Sequence, residues 1–138
     1  MKQFIVLAAV LPLMLLFVAQ YAIDQRNHAA TAFVEEEVRA ACEEARSAGC
    51  FTSEIRERLV RSISGKLGIP AASVSVEADD SVVYRLNYFD STGERGLIRY
   101  KITVPIGPMT AYSGFLSPAG RNERTVVIAG TMASERLP

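Results

Sequence analysis

Two cysteines carry the most reactive side chains of this 138-residue chain, and their spacing limits what they can do. In a segment expected to lie outside a membrane, an even pair of thiols favours a disulfide. Eight helical steps would separate the Cα atoms of Cys42 and Cys50 by ~12 Å, whereas a disulfide tolerates less than ~7 Å. We therefore predict a Cys42–Cys50 disulfide and a helix break before Cys50, with Gly49 as the left-handed C-terminal residue.

The other residues suited to chemistry are one histidine and three aspartates. His28 lies beside Asn27 in a stretch expected to be an exposed helix, whereas a Ser-His-Asp site needs a rigid pocket. Asp79, Asp80 and Asp90 fall in turn-like segments without the spacing of an EF-hand, so we interpret them as solvated turn residues, with a calcium site as the alternative. The sequence predicts no enzyme: we expect no catalytic residue, no metal and no cofactor.

An uncharged apolar run dominates the N-terminal end of the chain. No charged residue occurs from Gln3 to Ile23, and Gln20 is the one strongly polar member of residues 4–23. Twenty residues form a helix of ~30 Å, about the thickness of the hydrocarbon core of a bilayer.

The net charge of zero argues against a nucleic-acid partner, because no excess of cations is available to displace counterions.

Three interpretations of the apolar run compete: a cleaved secretory signal, a membrane anchor, and an assembly helix that packs against its own copies. A signal is disfavoured because the small residues at 29–32 lie beyond the run, behind Asp24 and Arg26. Pro12 predicts either a simple kink or a point where a bundle of helices can stretch. Lys2 favours a cytoplasmic N-terminus with the rest of the chain exported. The side chains assigned to an assembly helix are Phe4, Leu7, Leu11, Pro12, Leu15, Phe17 and Tyr21.

The helix is expected to continue beyond the membrane run as an amphipathic stalk. Residues 24–48 contain neither Gly nor Pro, and apolar residues recur there at helical spacing. Six acids and two bases lie between residues 24 and 44, whereas bases prevail in the next helix, at about residues 53–67. These charges are interpreted either as solvated faces of one head or as pairs between neighbouring copies.

The remainder predicts an α+β head. Thr52 or Ser53 can cap the second helix, and Gly68 with Pro70 ends it. Alternating apolar and polar residues then predict an antiparallel sheet of about four strands, covered by helices on one face, with Gly130 as a candidate bulge. The predicted strands centre on Val74 and Val76; on Val82, Tyr84, Leu86 and Tyr88; on Ile98, Tyr100, Ile102 and Val104; and on Val126, Ile128 and Met132. The domains are residues 1–23, 24–50 and 51–138.

The longest gap between predicted strands, residues 106–124, is a candidate contact loop. Loops of this length in compact domains are usually functional or disordered. Apolar residues held in such a loop suggest packing on the head itself or on a neighbouring copy. The candidate contact residues are Met109, Tyr112, Phe115 and Leu116.

Residues 7–16 (LAAVLPLMLL) and residues 67–76 (LGIPAASVSV) are the first two of four segments that share a family resemblance. They resemble the apolar start, and the junction between helix and first strand, of the TadE-like proteins, a pilin-like (pseudopilin) family. Residues 100–105 (YKITVP) and 129–135 (AGTMASE) resemble its third and closing strands. The likeness covers most of the chain in order. One difference is that Ile5 stands where pilins usually carry an acid near the mature N-terminus, and the first acid here is Asp24.

The resemblance implies a structural subunit of a type IV or Tad-like pilus. Its N-terminal helix would sit in the cytoplasmic membrane, with the N-terminus inside and the head outside, and would then polymerise into an extracellular filament. The expected partners are copies of the chain itself, the inner-membrane pilus assembly machinery and membrane lipid. The alternatives are a membrane-anchored accessory protein for pilus assembly and a membrane-tethered extracellular binding module.

Overall fold

The computed structural model describes residues 1–85, 96–110 and 123–138. Helix α1 spans Lys2–Ala48, helix α2 spans Ser53–Leu67, and a 3-10 helix covers Ala71–Ser73. Strands β1 (Ser75–Ala78), β2 (Leu97–Gly107) and β3 (Arg124–Ala133) form an antiparallel sheet in the order β1-β2-β3. The predicted α+β architecture, with a long apolar helix that continues into a stalk, is confirmed.

Helix α1 is a single helix of 47 residues that runs through Pro12. It ends where the sequence predicts, because Gly49 adopts the left-handed conformation (φ 84°) that disfavours any side chain. The amide of Gly49 donates to the carbonyl oxygen of Ala45 at 2.8 Å and so satisfies one of the last free carbonyls of the helix.

Helix α2 begins and ends on equally clear signals. The Thr52 side chain accepts a hydrogen bond from the Ile55 amide, and Gly68 ends the helix in the left-handed conformation (φ 66°). Three buried residues at four-residue spacing, Ile55, Leu59 and Ile63, turn one face of α2 toward the core. Glu44 of α1 pairs with Arg58 of α2, so these two charges meet within one chain.

The sheet is built on β2, which pairs with both other strands. Val76 of β1 lies opposite Ile102, which in turn lies opposite Ile128 of β3. The irregularity in the ladder lies between Pro105 and Gly107 and not at Gly130, which pairs regularly with Tyr100. Gly130 is small for a different reason: a Cβ there would lie 2.7 Å from the Tyr100 hydroxyl.

The described residues contain three strands and not about four. Residues 82–85 of the predicted additional strand form no strand, and Leu86 and Tyr88 lie outside the described residues. The backbone of residues 82–85 forms hydrogen bonds with separate segments of the chain and not with one neighbouring strand. The Val83 amide donates to the Gly49 carbonyl oxygen at 2.9 Å, and the Arg85 amide donates to the Arg136 carbonyl oxygen at 2.7 Å.

One core joins the stalk to the head. The second half of α1 contributes Val34, Val38, Ala41 and Ala45 to the same buried cluster that contains the apolar face of α2 and the inward residues of β2. These β2 residues are Ile98, Ile102 and Val104, each with no exposed surface. The second half of α1 is therefore the central support of the head, and its first half extends away from that core.

Candidate functional site

The first half of α1 is the candidate functional element, because no other part of residues 1–85, 96–110 and 123–138 covers its apolar side chains. The exposed fractions of the side chains there range from 47% for Val10 and Leu16 to 76% for Phe4. The residues predicted for an assembly helix belong to this set: Leu7 is 60% exposed, Leu11 53%, Leu15 60%, Phe17 65% and Tyr21 65%. Pro12 lies among them without ending the helix.

Length and composition qualify α1 to cross a membrane. Its most apolar 18-residue window has a mean hydropathy of 2.4, and none of that window is buried. The second half of the same helix is buried on one side from Asn27 to Ala45. One continuous helix therefore has an apolar segment without cover and an amphipathic segment within a core.

A turn at residues 107–110 marks the place where α1 leaves the head. The side-chain amide of Asn27 donates to the Pro108 carbonyl oxygen at 2.9 Å, and that of Gln20 donates to the Met109 carbonyl oxygen at 3.1 Å. Asn27 is only 2% exposed. The turn that follows β2 is thus attached to α1 over two helical turns, close to the end of the apolar run.

Only part of the predicted contact loop can be placed. Met109 is 51% exposed and lies in the turn attached to Gln20. Tyr112, Phe115 and Leu116 lie outside the described residues.

The opposite end of α1 is attached to the C-terminal segment of the chain. The Glu135 amide donates to the Arg46 carbonyl oxygen at 2.9 Å, and the Arg136 guanidinium donates to the Ala48 carbonyl oxygen at 2.8 Å. The Arg46 guanidinium also pairs with the carboxylate of Glu135. These bonds satisfy carbonyl groups that a helix leaves free at its C-terminus.

The predicted Cys42–Cys50 disulfide is absent from the structure, in which both cysteines are buried free thiols. Helix α1 stays intact as far as Ala48, so Gly49 alone is left between the helix and Cys50 for the chain to turn back toward Cys42. Each thiol packs separately in the core, with exposed fractions of 8% for Cys42 and 5% for Cys50.

The buried Cys42 thiol forms a hydrogen bond with the hydroxyl of Tyr100, which is partly buried. Burial raises the pKa of Cys42 above its ordinary value of 9.0, and the hydrogen bond from Tyr100 offsets part of that rise. Burial also raises the pKa of Tyr100 above 10.0, and its bond to Cys42 adds to the rise. Because a raised pKa keeps the thiol protonated, Cys42 is poorly suited to act as a nucleophile.

The other candidates for chemistry have structural surroundings. The carboxylate of Asp79 accepts a hydrogen bond from the Arg99 amide at 2.9 Å, and His28 is exposed on α1. Within residues 1–85, 96–110 and 123–138, no group of three or more His, Cys, Asp or Glu side chains is arranged to hold a metal ion. Asp90 lies outside those ranges.

Sequence reasoning missed the residues that attach the head to α1. Asn27 carries a usable signal, because it precedes Val34 by seven residues and so extends the buried stripe formed by Val34, Val38, Ala41 and Ala45. A polar residue in an inward stripe predicts a buried hydrogen-bond partner. The partner, the Pro108 carbonyl, is a backbone group 81 residues away and left no mark in the local pattern.

Comparison of the chain with protein-family models, with curated proteins and with solved structures gave no match. The functional argument therefore depends on the geometry of α1 and of its two attachments to the head.

Proposed function

We propose that this chain is a pilin-like structural subunit, held in a membrane by the first half of α1 and polymerised through the same segment into an extracellular filament. The observation that carries the proposal concerns one uninterrupted helix, α1. The apolar side chains of its first half are exposed, whereas its second half packs in the core of the head. Such a subunit presents the same surface first to lipid and then to copies of itself.

The energetic argument depends on the amount of apolar surface that lacks cover. Twelve large apolar side chains between Phe4 and Val18 are exposed in the isolated chain. Full burial of each is worth ~1.5–3 kcal/mol, so a bilayer or a bundle of helices would supply on the order of tens of kcal/mol. Water is the unfavourable solvent for this segment, and either of the other two surroundings removes the same surface from water.

The membrane-anchored accessory protein is the second candidate, and one observation favours it. The first acid of the chain is Asp24, so no carboxylate lies near Ile5 to fix the register between neighbouring helices. An accessory protein needs the membrane segment but does not need that register. The two candidates differ in where the chain is found after assembly.

Electron microscopy of material sheared from the cell surface, with mass spectrometry of the filaments, distinguishes them. We expect the chain in the filaments, and N-terminal sequencing of the same material then defines the end of the mature subunit. If filaments form without this chain while it stays with the membranes, the subunit proposal fails and the accessory role is supported.

A matched pair of variants connects the filament to α1. Leu11→Lys places a charge in the middle of the apolar segment and is expected to abolish filaments, because every copy would then bury an unpaired charge in the bundle. Membrane retention is expected to weaken and not to disappear, since a charge at a bilayer centre costs ~2.5–3.5 kcal/mol on insertion scales, a small part of the tens of kcal/mol that burial supplies. Leu11→Ile retains the apolar surface and should leave both intact. Normal filaments in the Leu11→Lys strain would show that this segment is not their core.

A further inference from the structure

The attachment between the turn at residues 107–110 and α1 has a consequence for where the head stands on a membrane. The apolar run ends at Ile23, whereas the turn is bonded to α1 from Gln20 to Asn27. Gln20 lies three residues before the end of the run, which corresponds to ~4.5 Å along the helix axis. The head is therefore attached to the apolar segment itself, without a spacer.

The length of the apolar run limits the depth at which Gln20 can lie in a bilayer. Residues 4–23 give ~30 Å of helix, the thickness of the hydrocarbon core, so burying all of them brings Gln20 to within ~5 Å of the hydrocarbon boundary. The Met109 carbonyl, which is bonded to Gln20, then lies close to the boundary between the hydrocarbon core and the headgroups. Tyr21 is 65% exposed at the same level, and tyrosine is enriched at membrane interfaces.

Two carbonyl groups of the turn have hydrogen-bond partners within the chain, as an environment of low dielectric requires. A carbonyl without a hydrogen bond is costly away from water, and both Pro108 and Met109 have their carbonyls bonded to side-chain amides of α1. Proline has no backbone N–H that would need a partner. Pro108, Met109 and Thr110 are all exposed, and the largest apolar side chain among them is that of Met109, which is 51% exposed.

We propose that the turn at residues 107–110 is a membrane-contacting element, which sets the head on the bilayer surface with the Met109 side chain among the lipid headgroups and upper acyl chains. This inference rests on the membrane-held state of the proposed function. The bonded amide of Asn27 is a positioning group for the turn, because it holds the Pro108 carbonyl against α1.

The chain contains no tryptophan, so single substitutions give site-specific fluorescent probes of the full protein. Three exposed apolar residues are replaced in separate variants, Met109→Trp, Met14→Trp and Leu137→Trp. Leu137 is the matched control, because it follows the segment bonded to the end of α1, and the helix rises ~31 Å from Asn27 to Ala48. Each variant is reconstituted in phosphatidylcholine and phosphatidylglycerol vesicles whose lipids are brominated near the headgroup or near the chain end.

We expect Met109→Trp to lose emission most with bromine near the headgroup, Met14→Trp to lose it most with bromine near the chain end, and Leu137→Trp to keep its emission with both. If Met14→Trp is quenched while Met109→Trp behaves as Leu137→Trp does, the membrane-contacting turn is refuted and the anchor stands. If Met14→Trp is not quenched, the anchor fails as well.

A second pair tests the positioning role in the Met109→Trp background. Asn27→Ala removes the bond to Pro108 and is expected to reduce quenching by the headgroup bromines. Thr31→Ala is the control, since its hydroxyl bonds to the Asn27 carbonyl oxygen within α1 and, among the described residues, to no group of the turn. Equal quenching in the two double variants would refute the role assigned to Asn27.

Discussion

Replacing Gly49 by alanine tests whether the C-terminal segment of the chain closes tightly over the end of α1. Gly49 has a φ of 84°, and a Cβ there would lie 2.8 Å from the Val83 carbonyl oxygen and 2.9 Å from Cδ of Arg136. The first of these neighbours is backbone, which cannot rotate away. The substitution therefore strains the helix end and also displaces the segment that covers it.

The expected loss is the sum of a conformational and a contact effect. A non-glycine residue in the left-handed conformation costs ~1–2 kcal/mol. Displacing residue 83 also weakens the 2.9 Å bond from its amide to the Gly49 carbonyl oxygen, and a net hydrogen bond contributes ~0.5–1.5 kcal/mol. With a similar loss at the bond from Arg136 to Ala48, we expect Gly49→Ala to lower the free energy of unfolding by about 2–5 kcal/mol.

Two other glycines provide graded controls in α2 and at its end. Gly68 shares the left-handed conformation, but a Cβ there would have no neighbour within 4 Å, so Gly68→Ala isolates the conformational cost of ~1–2 kcal/mol. Gly65 lies inside α2 with open space around it, and Gly65→Ala is expected to stabilise by ~0.5–1 kcal/mol.

The assay is urea unfolding of the full chain in detergent micelles, followed by tyrosine fluorescence, to which Tyr84 and Tyr100 of the head contribute among five tyrosines. The order of stability is expected to be Gly65→Ala, then wild type, then Gly68→Ala, then Gly49→Ala. Equal losses for Gly49→Ala and Gly68→Ala would refute the close approach of residues 83 and 136 to the end of α1.

Two further predictions concern the buried thiols. Without reductant, alkylation of the native chain is expected to modify neither Cys42 nor Cys50, because both thiols are buried. Alkylation in denaturant is expected to modify both. If neither is alkylated in denaturant and the intact mass is lower by two hydrogens, the disulfide suggested by their spacing is supported instead. Stability should fall as the pH rises above about 9, because the raised pKa values of Cys42 and Tyr100 leave them protonated in the folded state when the unfolded chain has lost those protons. Urea midpoints measured against pH check this, and a decline as steep in Tyr100→Phe would contradict a contribution from Tyr100.

The sequence predicted those parts of the fold that depend on local signals. Both helix ends were evident, because Gly49 and Gly68 carry the left-handed conformation and Thr52 caps α2 with its own side chain. Alternation in β2 predicted its inward residues, among them Ile98 and Ile102, since one face of the sheet is buried. These are interactions within a few residues or a single period of the pattern.

Among the described residues, residues 82–85 form no strand and Cys42 and Cys50 form no bond, and these two differences from the sequence prediction have a common reason. Residues 82–85 alternate as a strand would, but their backbone groups bond to Gly49 and Arg136, which are distant in sequence. Cys42 and Cys50 are close in sequence, but the helix between them holds each thiol in its own packing site. The spacing of residues in the sequence cannot predict which distant segment bonds to a backbone group. It also cannot predict which distant residues pack around a buried side chain.

The candidate site likewise has a part that the sequence predicts and a part that it does not. The apolar surface of α1 was evident from composition, because twenty residues without a charge need a solvent other than water. The position of the head along that helix was not evident, since it depends on two amide side chains, Gln20 and Asn27, and on backbone carbonyls more than eighty residues away.

The continuity of α1 limits how the head can move relative to its anchor. No break separates the apolar segment from the segment in the core, and the turn at residues 107–110 bonds to α1 on both sides of the boundary at Ile23. The proline of α1, Pro12, is the position where a backbone hydrogen bond is missing, and it lies eight residues before Gln20. Bending is therefore favoured within the apolar segment and not at the head. A subunit built in this way would carry its head as a rigid extension of the upper part of its own anchor.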